Sequence, residues 1–213
     1  MIEPLNLDIA KPTLLCLDFD LTLTKSHLFG YVVDAIQGGF SRENALLRAM
    51  KILDAQGVKG GQQFWQFLAR WLTAGHGLVI TSYTSFPELP TALLAKGIPE
   101  LRKLGVPKQY VRWISRPIIV YGDPAPHLNP PRPLPNTYLI SQDLLKAEAS
   151  GKNLHIQEAL KQVQTRGYHY HQALLLDDDP QNIEYAQMAQ IQTIQVSKKA
   201  DDLSHIEILN SLI

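Results

Sequence analysis

The chain has 213 residues, 45% of them apolar, with 20 basic and 20 acidic residues and no formal net charge. That length suits one domain, or a domain with a small inserted cap, and supports a sizeable core. The charge balance excludes a broad electrostatic footprint for nucleic acid or an anionic membrane, and no run of about 18 apolar residues is present to span one. The single cysteine excludes an intrachain disulfide and fits a reducing, cytoplasm-like compartment. Met1–Lys11 mixes acidic and apolar residues without a basic start or a long apolar stretch, which is not the pattern of a Sec signal peptide. Export by a route reading other signals stays open.

The first element expected is a buried strand over Leu14–Asp18, ending in Asp18-Phe19-Asp20-Leu21-Thr22. Similar apolar runs, each capped by polar residues, follow at Leu78–Thr81 and Ala173–Asp177. Short continuous apolar runs bounded by turns are the pattern of central parallel strands covered on both faces. Between the first two lie about fifty residues of helical pattern, too long for an ordinary crossover, which predicts a small helical cap over residues 26–75. Ser41 is a plausible N-cap for its first helix; Trp65 and Trp71 belong to an amphipathic stretch that packs the cap on the core. Pro87, Pro90 and Pro99 punctuate the path to a helix near Glu100–Leu104. Residues 117–136 form a proline-rich segment, read as a rigid surface loop within the core domain, with short strands at its ends, Pro117–Tyr121 and Thr137–Ile140. Ile191–Val196 is the last expected strand. Strands alternating with helices predict an α/β, doubly wound, mostly parallel sheet formed by residues 1–25 and 76–213.

The chemistry concentrates at strand ends. In an extended backbone Asp18 and Asp20 project to the same side, at the edge where open α/β sheets bind ligands. Two like charges held so close call for a cation between them, Mg²⁺ for oxygen donors, or a proton on one of them. They also suit a division of labour: Asp18 as nucleophile, Asp20 as acid and base. Thr81 ends the second strand in a hydroxyl, and Ser82 either shares its role or turns the chain. Lys152, at the start of a helix leading to the third strand, can offset the surplus negative charge; Lys146 competes for that role. Asp177 and Asp178 end the third strand, with Asn182 one helical turn beyond. Asp179 before Pro180 reads as a helix N-cap. Thr22 braces the loop after the first strand. His169 and His171 alternate as on a strand, yet without a third ligand nearby they read as exposed edge residues. Cys16 sits inside the first strand and reads as core.

Taken in order, D-x-D-x-T at Asp18, Asp20 and Thr22, the strand-ending Thr81, Lys152, and the acids Asp177 and Asp178 with Asn182 resemble the haloacid dehalogenase (HAD) superfamily. The resemblance covers nearly the whole chain. It implies a Rossmann-like sheet, Mg²⁺ dependence and a phospho-aspartate intermediate. It also implies metal ligation by an Asp18 carboxylate oxygen, the Asp20 backbone carbonyl and the Asp178 carboxylate. An Asp two residues after the nucleophile looks like the family's phosphatase branch. A short cap leaves the site partly open, which points to an extended phosphorylated substrate such as phosphotyrosine on a protein, with a small phosphate ester such as a sugar phosphate close behind. The rival expectation is a binding module that keeps the fold without turnover.

Overall fold

A computed structural model describes residues 8, 10–122, 134–147 and 150–213. Six parallel strands make one sheet: β1 (Thr13–Leu17), β2 (Gly77–Ser82), β3 (Ile119–Tyr121), β4 (Thr137–Leu139), β5 (Gln172–Asp177) and β6 (Gln192–Gln195). Their spatial order is β4-β3-β2-β1-β5-β6. The chain therefore winds outward from β1 to β4, then returns to place β5 on the other side of β1. That reversal makes the carboxyl edge of β1 and β5 the switch point, where such sheets open a crevice. Every residue of β1, β2 and β3 is buried, so both pleat directions are covered, as the continuous apolar runs require. The fold is α/β and Rossmann-like.

The segment between β1 and β2 forms α1 (Leu28–Gln37), α2 (Arg42–Gln56) and α3 (Gly61–Thr73). Ser41 caps α2 by accepting the Asn44 N–H at 3.3 Å. The three helices part company in packing. α3 lies against β2 and the helices beyond it, with Trp71 fully buried and its indole N–H on the Gly77 carbonyl at 2.9 Å. α1 and α2 pack on each other, and α2 is pinned to the next helix, α4 (Glu88–Lys103), by the ion pairs Arg42–Glu88 and Asp54–Lys96. The helical insertion that stands apart from the sheet is thus the α1–α2 pair.

α4 corrects one expectation. The prolines do not break the chain before Glu100; Pro90 and Pro99 both lie within this helix. Pro90 sits in the first turn, where an N–H has no intrahelical partner to lose. Pro99 is exposed, and so is Ala95, the residue whose carbonyl it cannot bond, so water can take that carbonyl. The buried stripe of Leu89, Leu93, Leu94, Gly97 and Leu101 runs on past both.

The rest of the chain follows as α5 (Lys108–Ser115), α6 (Gln142–Ala147), α7 (Asn153–Thr165), α8 (Pro180–Met188) and α9 (Ser204–Ser211). Ile119–Tyr121 being strand, the proline-rich loop begins only after it; its interior, 123–133, lies outside the described residues. Tyr168 and Tyr170 pack on Trp113 at ring distances of 5.0 and 6.0 Å, and the alternating His169 and His171 are exposed. Cys16 is buried in β1. No helix among the described residues is long and apolar enough to cross a membrane.

Candidate active site

Register sets the site. Leu17 lies beside Ile80 on one side and Leu176 on the other, so the next residues along β1, β2 and β5 lie at one level. Those residues are Asp18, just past β1, and Thr81 and Asp177, still paired to their outer neighbours at the carboxyl ends of β2 and β5. The Asp18 N–H extends the ladder by one bond, to the Leu176 carbonyl at 2.9 Å.

Asp18, Asp177 and Asp178 each offer a carboxylate oxygen within 4.8 Å of the others. Lys152 enters this cluster from just ahead of α7. Gly151, at φ +55°, turns the chain tightly there; a Cβ would meet Tyr185 at 3.0 Å and the Asn182 amide oxygen at 3.1 Å. The Lys152 Nζ donates to Asp18 Oδ1 at 2.5 Å and to the Thr81 carbonyl at 2.8 Å, and lies 3.2 Å from Asp177 Oδ2. Lys146 is exposed on α6, away from this network. Asn182 donates to both Asp177 oxygens, at 3.2 and 3.1 Å, and the Asp179 N–H donates to Oδ1 at 2.9 Å. Asp179 itself caps α8 by accepting the Gln181 N–H at 2.9 Å, with Pro180 at the first helical position. Thr22 Oγ1 donates to Asp178 Oδ1 at 3.2 Å, bridging the loop after β1 to the end of β5.

Asp20 is buried near Asp18 and Asp178 but is not one of the three clustered acids. It accepts the Leu28 N–H at 2.6 Å and the Phe29 N–H at 3.2 Å, so it sits on the amino end of α1. Asp177, expected in a supporting place, supplies the third carboxylate of the cluster. Thr81 is fully buried, and its hydroxyl has no hydrogen-bond partner among the described residues, leaving a donor for an incoming anion. Ser82 is buried beside it.

The electrostatics describe a site short of positive charge. Burial, then Asp177 and Asp20, push the Asp18 carboxyl up to about 7 despite Lys152. Burial and Asp177 raise Asp178 as well. Asp20 is raised by burial, against the pull of the His27 ring and the two α1 amides. For Lys152 burial works downward, yet Asp177 and Asp18 outweigh it and hold the ammonium above its usual range. Three crowded carboxylates against one buried ammonium fit a hard divalent cation with oxygen ligands, and Mg²⁺ suits that donor set.

Several residues at the site carried no signal in the sequence. The Tyr83 ring lies 5.0 Å from the Lys152 ammonium and meets His155 edge-on at 5.0 Å. Thr24 accepts the Leu21 N–H at 3.0 Å and donates to the Ser26 carbonyl at 2.7 Å, tying down the loop that holds Asp20. Lys198 reaches to 3.6 Å from Asp178 from the loop after β6. The alternation Asp20-x-Thr22-x-Thr24 could have drawn attention to Thr24. Nothing local marks Tyr83 or Lys198.

No family model matches the chain, and no curated protein does. Two solved structures are similar to it. One is a haloacid dehalogenase-like family hydrolase from Streptococcus pneumoniae, 14% identical, covering 93% of this chain and 90% of that one at a TM-score of 0.39. The other is a phosphoserine phosphohydrolase-like protein from Francisella tularensis, 11% identical, covering 92% of this chain and 99% of that one at a TM-score of 0.42.

Proposed function

We propose that the chain is a Mg²⁺-dependent phosphatase of the HAD type that hydrolyses phosphate monoesters through a phospho-aspartate on Asp18. The observation that carries this reading is the cluster of Asp18, Asp177 and Asp178, the first two held by the Lys152 ammonium, beside the Thr81 hydroxyl, which has no hydrogen-bond partner among the described residues. Asp18 attacks phosphorus in line; the bond to the ester oxygen breaks, and Asp20 gives that oxygen a proton. A raised carboxyl on Asp20 favours the protonated form this step needs. Asp20 then takes a proton from water, which attacks the phospho-aspartate and releases inorganic phosphate with Asp18 restored. Thr81 donates to a phosphoryl oxygen, and Lys152 holds Asp18 in line. The Asp18 and Asp178 carboxylates, with the Asp20 backbone carbonyl, would hold Mg²⁺, which supplies neutralisation of the phosphoryl charge.

The substrate reading is an aryl phosphate, phosphotyrosine on a protein, ahead of a sugar phosphate. Phe29 and His27 flank Asp20, and Tyr83 lies against Lys152; all three are partly or fully exposed, so the leaving group meets aromatic faces. The test is hydrolysis of p-nitrophenyl phosphate with and without Mg²⁺, then of phosphotyrosine peptides against sugar phosphates. Wild type should turn over only with Mg²⁺, and Asp18→Asn should lose activity by roughly 10³-fold or more. A silent wild type, or an active Asp18→Asn, rejects the reading; preference for sugar phosphates rejects only its substrate.

A further inference from the structure

Lys59 is a buried cation that the steps above leave unused. It stands between α2 and α3 with 1% of its surface exposed. An ammonium so placed must be hydrogen-bonded to persist. Its Nζ donates to the Leu21 carbonyl at 3.1 Å and, more closely, to the Ser197 carbonyl. Its backbone N–H donates to the Leu23 carbonyl at 2.8 Å. Lys59 therefore grips the turn after β1 on both sides of Thr22. Leu21, at φ +58°, is one of three non-glycine residues in the left-handed region among those described, a conformation leucine adopts only under restraint. That turn sets where the Asp20 carboxylate points, and whether Thr22 reaches Asp178. Ser197 precedes Lys198, whose ammonium faces Asp178, so one side chain joins the β1 loop, the entry to α3 and the loop after β6.

We propose that Lys59 is a positioning residue: its ammonium holds the Leu21 carbonyl in the strained turn and so aims Asp20 as proton donor to the leaving group. The proposal rests on the phosphatase reading and adds a residue to it. Lys152 acts on the acids directly; Lys59 acts through the backbone between them. A packing role would be met by any side chain of similar volume, whereas this role needs a donor that reaches two carbonyls.

The experiment measures kcat/KM for phenyl phosphate, whose leaving oxygen needs a proton, and for 2,4-dinitrophenyl phosphate, whose leaving oxygen does not. The proteins are wild type, Lys59→Met, Lys59→Gln, Lys59→Arg, Asp20→Asn and the double variant Asp20→Asn/Lys59→Met, each shown folded by circular dichroism. Lys59→Met should lose about 30–100-fold on phenyl phosphate and less than about 3-fold on the dinitrophenyl ester. Lys59→Arg should recover most of the loss, and adding Lys59→Met to Asp20→Asn should cost nothing more on phenyl phosphate. Equal losses on both esters, or additive losses in the double variant, overturn the proposal. If Lys59→Met does not fold, Lys59→Gln takes its place under the same two criteria. A wild type inactive on both esters sinks the phosphatase reading instead. The role of Lys59 is then decided by a crystal structure of Lys59→Gln: Leu21 leaving positive φ supports it, and Leu21 unchanged overturns it.

Discussion

At the scale of single residues, the site depends on Lys152 more than on any acid. Its ammonium, 1% exposed, touches Asp18, Asp177 and the Thr81 carbonyl, so three strand ends share one cation. Removing it leaves two buried carboxylates facing each other without compensation. Breaking a buried pair from one side costs about 3–5 kcal/mol, because the remaining charge stays desolvated. Lys152→Met should therefore lose stability on that scale, measured by urea unfolding at pH 7.5 without Mg²⁺. Adding Asp177→Asn should restore about half of the loss, since one of the stranded charges goes with it. No restoration would mean that Lys152 is held by packing rather than by the acids. The sequence made these residues readable because β-strand alternation and the order of short motifs are local signals. Asp18, Asp20, Thr81, Lys152, Asp177 and Asp178 do meet at one edge. The direction of the Asp20 carboxylate was not readable, because it depends on the left-handed turn at Leu21 and on the amino end of a helix that begins eight residues later. Lys59 was invisible for a similar reason: its partners lie in loops far along the chain.

At the scale of elements, the amphipathic stretch of the insertion is the most deeply packed part of it. Trp65 and Trp71 lie on α3, whose apolar face is buried against β2 and the helices α4, α5 and α9. An amphipathic period states that a face is covered, but not by what. The contact that decides it is Trp65 on Gly97: a methyl at Gly97 would overlap the six-membered ring of the indole. Gly97→Ala thus sets two effects against each other. Helix propensity favours alanine by about 0.5–1 kcal/mol, and overpacking a rigid indole costs about 1–3 kcal/mol. Overpacking should win, giving a net loss of roughly 1–2 kcal/mol in urea unfolding and a shift in Trp fluorescence. Trp65→Leu combined with Gly97→Ala should be less destabilised than the two separate losses imply. Prolines misled the reading of α4 because their cost depends on position and on what surrounds them. Pro90 stands in the first turn, where its N–H has no intrahelical partner to lose, and the carbonyl freed at Pro99 belongs to exposed Ala95, while the buried apolar stripe holds the helix together. The central strands were legible almost to the residue, since a short continuous apolar run bounded by turn residues reads as a strand buried on both faces.

At the scale of the whole molecule, the same crowding that equips the site opposes the fold, and pH separates the two. Asp18 is raised to about 7 in the folded chain from the ordinary aspartate value of 3.8. Above pH 7 the native state holds a carboxylate it would rather protonate, and the unfolded chain pays no such cost. As pH falls from 7 toward 4 the native state takes up the proton first, and this contribution to stability improves. The buried histidines run the other way. Burial, aided by Lys152, lowers His155 to about 3, and burial, aided by Lys59 and opposed by Asp202, lowers His205 to about 4. Each stays neutral in the fold, whereas the unfolded chain gains a proton below the ordinary histidine value of 6.5. Stability from these two is full above that value and drains as pH falls, by up to about 1.4 kcal/mol per unit for each. Wild type should therefore show a flattened profile between pH 7 and pH 5, with opposing trends offsetting each other. Asp18→Asn removes one trend and leaves the other. Without Mg²⁺ it should be more stable than wild type by about 2–4 kcal/mol at pH 8, and by only about 1–2 kcal/mol at pH 5, with a steeper loss in acid. Millimolar Mg²⁺ should raise wild-type stability at pH 8 and leave Asp18→Asn nearly unmoved, because only the former has the full set of carboxylates to bind it. Urea unfolding of the two proteins at both pH values, with and without the ion, reads all of these at once. An Asp18→Asn variant no more stable than wild type at pH 8 without Mg²⁺ would show that the acids at this edge carry no stored repulsion for a cation to relieve.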